Sequence, residues 1–177
     1  MNHDDHVSLL RPARLPSGGT WADLGAGTGA FTLALRELVG GEAVIYAVDK
    51  DRSSLAELRR GYEGRFGETS GLHILHADLR AIPGLPPLDG VLMANSLHFF
   101  KDNVDLLSRV RGLLKPGGML LLVEYNVDRG NPWVPYPLSF STFKSAATAA
   151  GFEVPRLVAT HPSSFLREFY SASAPSR

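Results

Sequence analysis

The chain has 177 residues, with 18 Lys plus Arg balanced against 18 Asp plus Glu, and no cysteine. Zero net charge argues against a nucleic-acid partner, which calls for a basic footprint, and the lack of cysteine excludes disulfides and thiolate metal sites. A hydrophobic fraction of 44% is enough for one core at this length, so a folded chain is expected rather than a disordered one.

Residues 1–19 begin polar, pass an apolar cluster at Val7, Leu9 and Leu10, and end in a Pro- and Gly-rich stretch. They read as a short N-terminal helix and a connector, with residues 20–177 as a single domain. His3 and His6 have the spacing of metal ligands on a helix; a frayed, solvated terminus is the reading adopted, with no metal. Met1 to His6 lacks the form of a signal peptide, and no run approaches the ~20 apolar residues of a membrane span. A soluble, cytoplasmic protein without a membrane partner is therefore expected.

The next stretch organises the chain. Thr20 to Leu24 is an apolar strand carrying Asp23, followed by Gly25-Ala26-Gly27-Thr28-Gly29 and a helical pattern with Phe31, Leu35 and Leu38 on one face. Glycine permits a tight turn and close approach of a ligand to the main chain. The free N–H groups of the helix start favour an anion above the loop. Gly25, Gly27 and Ala30 also satisfy the loose dinucleotide pattern G-x-G-x-x-G/A, so the glycines alone leave the nucleotide open. Asp23 separates the readings, because a carboxylate at the strand end would repel a pyrophosphate.

Asp23-Leu24-Gly25-Ala26-Gly27-Thr28-Gly29 closely resembles the first motif of the class I S-adenosylmethionine (SAM)-dependent methyltransferases. The resemblance implies that Asp23, Gly25, Ala26, Gly27 and Gly29 hold the methionine half of SAM, with the acid beside its amino group. A ligand bearing both a carboxylate and an ammonium suits N–H donors beside one carboxylate.

Beyond the first helix, 43–48 reads as a buried parallel strand ending at Asp49. An acid there can accept from both hydroxyls of a ribose, and the resemblance assigns this task to Asp49, with Lys50 beside it. Asp51, and Ser54 with Glu57 in capping-box spacing, are placed to cap the next helix, over 54–62, leaving Asp49 free. Residues 72–77 form the third strand, with His73 and His76 read as ordinary strand residues. By resemblance Asp78 meets the adenine amine and the Leu79 backbone a ring nitrogen. Pro83, Pro86 and Pro87 exclude a long helix before the fourth strand at 89–94.

Asn95-Ser96-Leu97-His98 leaves that strand where open parallel sheets bind ligands, and differs from the Asn-Pro-Pro-Tyr of amine-methylating family members. Asn95 is a cofactor contact by resemblance. His98 is either a general base for the acceptor or a histidine packed between Leu97 and Phe99. Asp102 or Asn103 caps a helix through Val104, Leu107, Val110 and Leu114, and Leu113-Leu114-Lys115-Pro116-Gly117-Gly118 precedes a fifth strand at 119–123, again as in the family. Tyr125, Trp133 and Tyr136, on or after that strand's end, suit a substrate wall. Residues 141–150 form a helix, and 152–161 with 165–172 a closing hairpin.

Together these imply a Rossmann-like three-layer α/β/α sandwich with a seven-stranded, mainly parallel sheet and an antiparallel last strand. They imply methyl transfer from SAM to a small-molecule acceptor, releasing S-adenosylhomocysteine. Two other readings remain at this stage: a SAM-binding protein without catalysis, and a nicotinamide oxidoreductase. Substrate-binding elements are confined to 1–19, 95–103 and 124–140, and so bare a domain could complete its wall as a homodimer.

Overall fold

The computed structural model describes residues 1–176. Seven strands form one sheet: β1 Thr20–Leu24, β2 Val44–Asp49, β3 Leu72–His76, β4 Leu88–Ala94, β5 Leu114–Tyr125, β6 Arg156–Pro162 and β7 Glu168–Pro175. Their order is β3-β2-β1-β4-β5-β7-β6, with β7 antiparallel to both its neighbours and every other pairing parallel. The five helices are α1 His3–Leu10, α2 Ala30–Val39, α3 Arg52–Phe66, α4 Asn103–Arg111 and α5 Phe140–Ala149. None is long and apolar enough to cross a membrane.

The central strands are almost wholly apolar because both faces are covered. In β1 the side chains alternate: Trp21 packs with α1 and α2 residues such as Leu10 and Leu35, while Ala22 and Leu24 join the cluster of Leu106, Val110, Phe143 and Ala147 from α4 and α5. α3 closes against β2 through Leu55, Leu58 and Ala47. Asp89 ties the lower edge together, accepting from the Thr20 N–H at 2.7 Å and the Lys115 ammonium at 2.8 Å.

Several expected boundaries move for identifiable reasons. The N-terminus is not frayed. Asn2 and Asp5 form a reciprocal capping box, and Val7, Leu9 and Leu10 are buried against the core, so α1 is part of the fold. The cap of α3 is Asp51, whose carboxylate accepts from Ser53 N–H; Ser54 lies inside the helix and donates its hydroxyl to Asp51. Asp102 caps α4, which buries Leu106, Leu107 and Val110, while Val104 faces outward and Leu114 already belongs to β5. β5 starts five residues early because Leu114 pairs with Leu88 across a register shift before the regular ladder begins. The closing hairpin lies later than expected: Phe152 makes only an isolated bridge to Ser176, and the turn spans 163–167.

The reversal of strand order falls between β1 and β4, where crossovers leave in opposite directions and open a crevice above the carboxyl ends. Gly90 makes this pairing close. It lies opposite Trp21, and a Cβ at position 90 would fall inside the indole ring. Gly90→Ala is therefore expected to lower unfolding stability by about 3 kcal/mol, read as a reduced midpoint in urea denaturation.

Candidate cofactor and acceptor site

A cavity of about 460 Å³ occupies the crevice. Its lining includes Asp23, Gly25, Ala26, Gly27, Asp49, Lys50, Asp78, Leu79 and Asn95, all anticipated from the sequence. Gly29 is not among the lining residues. It is the N-cap of α2 at φ 89°, where a Cβ would overlap Leu58, so its task is to seat the loop on α3. Gly25 also requires glycine, at φ 87° with Ser96 where a Cβ would stand.

Asp23 is 1% exposed at the end of β1. Its Oδ2 accepts from the Thr32 hydroxyl at 2.6 Å, while Oδ1 is buried without a partner. Burial raises its pKa to about 7, the Thr32 bond opposes this and the Asp49 charge adds to it. Asn95 shows the same incompleteness across the crevice, at φ 52° with a buried, unpartnered Oδ1. Two buried acceptors on one cavity call for a donor, and an ammonium group has three N–H bonds to offer. The methionine amino group of SAM meets that demand.

Asp49, at the tip of β2, is oriented by the main chain. Its Oδ2 accepts from Gly27 N–H and its Oδ1 from Asp51 N–H, both at 2.8 Å. Each oxygen retains a lone pair, enough for the two hydroxyls of a ribose. Asp78 accepts from Arg80 N–H at 2.8 Å and pairs with its guanidinium at 3.0 Å. That backbone bond, with the neighbouring charge, holds the Asp78 carboxyl below the usual range. Leu79 is buried beside it. The residues present thus fit a SAM molecule from amino acid to adenine.

The acceptor side departs further from the sequence reading. His98 is 3% exposed and lies outside the cavity lining. Its Nδ1 meets Glu124 Oε2 at 2.7 Å, and Glu124 Oε1 accepts from Leu97 and His98 N–H at 3.0 and 3.2 Å. The contact fixes the imidazole ring against the end of β5. Glu124 ends β5 as Asp23 ends β1, yet nothing local links it to a histidine 26 positions earlier. Tyr125 is half-buried beside His98, with ring centroids 6.3 Å apart, while Trp133 and Tyr136 are exposed outside the cavity.

Met1, His6, Ser96, Phe99 and Phe100 also line the cavity; they fall within the segments 1–19 and 95–103 expected to bind substrate, although none was singled out by residue. Ser96 donates to Leu24 O at 2.8 Å and so joins β4 to the glycine loop. His6 sits on Phe31, with ring centroids 4.7 Å apart, and burial holds its imidazole toward the neutral form. The amphipathic cluster in 1–19 was the available signal for α1, but not for where it docks.

A doubly wound sheet, a glycine loop after β1 and acids at the tips of β1, β2 and β3 define a SAM-binding methyltransferase fold of class I. Residues 22–118 match the family described as a methyltransferase domain, and the chain belongs to that family. It is 35% identical over 126 residues to a carboxy-S-adenosyl-L-methionine synthase of Pseudomonas putida, covering 68% of this chain and 51% of that one. It is also 35% identical over 111 residues to the acetylserotonin O-methyltransferase of Mus musculus, covering 61% of this chain and 28% of that one. The chain thus spans about half, or less, of the length of these curated relatives. Among solved structures, a SAM-dependent methyltransferase from Aquifex aeolicus superposes with TM-score 0.73 at 20% identity, covering 98% of this chain and 93% of that one. An arsenic(III) SAM methyltransferase from Chlamydomonas reinhardtii gives 0.71 at 22%, covering 92% and 65%. These likenesses confirm the fold and lend no support to the dinucleotide reading of the glycine loop.

Asp23 links this site to stability. Its pKa is raised on folding, so the free protein loses stability as pH rises from about 4 through about 7. Asp23→Asn should therefore have a higher Tm than the parent, the gain growing over that window and levelling above it. The same variant should bind SAM at least tenfold more weakly, by calorimetric titration.

Proposed function

We propose that the chain transfers the methyl group of SAM to a small-molecule acceptor. The observation that carries this reading is the pair of unpartnered buried oxygens, Asp23 Oδ1 and Asn95 Oδ1, on a cavity that also holds the doubly anchored Asp49. In this reading Asp23 and Asn95 receive the amino group, Asp49 takes the ribose hydroxyls and Asp78 the adenine amine. The N–H groups of Gly25 and Ala26 are engaged by Val48 O and that of Gly27 by Asp49 Oδ2, so the loop serves by its shape rather than as a row of free donors. Lys50 and Leu79 complete the walls.

SAM, when bound, supplies an already activated methyl group. The chain's own part is to hold donor and acceptor in line and exclude water, which can supply ~7–11 kcal/mol of a barrier. His98 does not line the cavity but packs against Phe99, which does, with ring centroids 4.3 Å apart. In this reading His98 takes the proton of a hydroxyl acceptor from the edge of the cavity beside Phe99, while Glu124, bonded to its Nδ1, holds the ring. The backbone bonds from Leu97 and His98 to Glu124 keep the pair in register.

The test is calorimetric binding of S-adenosylhomocysteine, followed by transfer of labelled methyl from SAM to a panel of small acceptors. Asp49→Ala is expected to weaken binding at least tenfold, through loss of the ribose contacts and of the Gly27 anchor. His98→Ala should lower turnover ~10²-fold while leaving cofactor affinity within a factor of about two. Unchanged affinity in a folded Asp49→Ala protein would sink the cofactor placement, and unchanged turnover in His98→Ala would return that residue to packing.

A further inference from the structure

All four exposed Phe, Trp and Tyr side chains among the described residues, Phe99, Trp133, Tyr136 and Phe165, belong to segments that meet at one end of the sheet. Ring contacts make this continuous. Phe99 lies on His98 with centroids 4.3 Å apart, His98 and Tyr125 are 6.3 Å apart, Tyr125 and Phe165 5.9 Å, and Phe165 and Trp133 6.4 Å. The backbone N–H of Tyr136 donates to His98 O at 2.9 Å, drawing the proline-rich loop into the same group. Phe99 is also part of the cavity lining, so the aromatic row runs from the cofactor cavity outward.

The row is built to stay exposed. Trp133 is 71% and Phe165 51% exposed, although burial of such rings is strongly favourable. Neither is on a loose end. Asn131 Oδ1 accepts from Trp133 and Val134 N–H at 2.9 Å each, and Val134 and Leu138 are buried on either side of Tyr136. In the turn between β6 and β7, Ser163 Oγ accepts from Phe165 and Leu166 N–H at 3.2 and 3.3 Å, and Ser163 N–H closes the turn on Arg167 O at 2.8 Å. Two pinned loops holding open aromatic faces beside a ligand cavity form a site for another ring. Phe165 meets Tyr125 at 63° and Trp133 at 82°, edge-on, which leaves ring faces uncovered by their neighbours.

We propose that Phe99, Phe165 and Trp133 form the acceptor platform, that the acceptor is a planar aromatic molecule, and that Phe165 is a specificity-determining residue. This rests on the methyl-transfer reading for the word acceptor, and on the rings alone for the planar ligand. A flat π-system can stack on or meet edge-on each exposed ring, whereas a saturated molecule of equal size gains only area. Its reactive substituent then faces Phe99 and the His98 side of the cavity.

The probe is 2-naphthol, with saturated trans-decahydro-2-naphthol as the shape control, each titrated by calorimetry with and without S-adenosylhomocysteine. The parent should bind 2-naphthol about tenfold more tightly than the saturated control. Phe165→Ala and Trp133→Ala should each weaken 2-naphthol binding at least fivefold, with S-adenosylhomocysteine affinity unchanged. Phe165→Leu, which keeps an apolar side chain without a ring, should lose most of the preference between the two probes. Val154→Ala, at an exposed apolar position outside the row, should change nothing. No 2-naphthol binding up to millimolar concentration, equal binding of both probes, or insensitivity to all three ring variants overturns the proposal. So does a dimer, seen by sedimentation, that Trp133→Ala dissociates, since the rings would then serve a second copy. If S-adenosylhomocysteine fails to bind while 2-naphthol binding stays ring-dependent, the cofactor reading falls and the platform stands.

Discussion

A buried carboxylate with half its hydrogen bonding unmet is the feature on which the site depends. Asp23 is fixed by the sheet, since β1 pairs with β2 on one side and β4 on the other, and the acid sits inside both ladders. Its backbone cannot move to find water, and Thr32, one turn into α2, satisfies only one of its oxygens. The remaining oxygen is an unsolved desolvation problem in the free protein, and such a group favours whatever cation arrives. Asp49, an acceptor held by two main-chain N–H groups, lies on the same cavity, so the crevice offers acceptors at both β1 and β2.

The rest of the fold can be seen as support for that placement. Gly90 lets β4 approach under Trp21, Ser96 braces β4 against the end of β1, and Gly25 leaves room for Ser96. A larger residue at either glycine would push β4 from β1 and widen the crevice. Asn95, held at positive φ immediately after β4, turns the chain over the cavity instead of away from it. Backbone strain at a ligand site is consistent with a residue whose position matters more than its local comfort.

What the sequence disclosed was whatever is written locally. A strand, a glycine loop and a helix start lie within about twenty residues, so Asp23 and the loop could be read directly. Asp49 and Asp78 were legible because each ends an apolar run, and a strand tip in a parallel sheet is a place in space as well as in sequence. The seven-stranded, mainly parallel sheet followed from resemblance, and the antiparallel last strand from a hairpin pattern whose true turn lies a few residues later. Boundaries slipped where tertiary contact overrode local signal. β5 begins before its glycines because Leu88 provides a partner, and the first helix is ordered because its apolar side has a core to enter.

What stayed hidden is pairwise. Glu124 was visible as an acid after β5 and His98 as a histidine after β4, but their contact exists only because β4 and β5 are neighbours in register, Ala94 beside Val123. Phe165 gave no signal at all, since a phenylalanine in a hairpin turn is unremarkable until the hairpin folds back over Tyr125. The antiparallel pairing of Tyr125 with Phe169 does this. It carries the turn at 163–167 past the end of β5 and sets it against the loop that bears Trp133. The antiparallel strand thus has a consequence that a parallel one would not. Its entry lies at the carboxyl ends of the other strands, so the turn before it faces the ligand side of the sheet rather than the back.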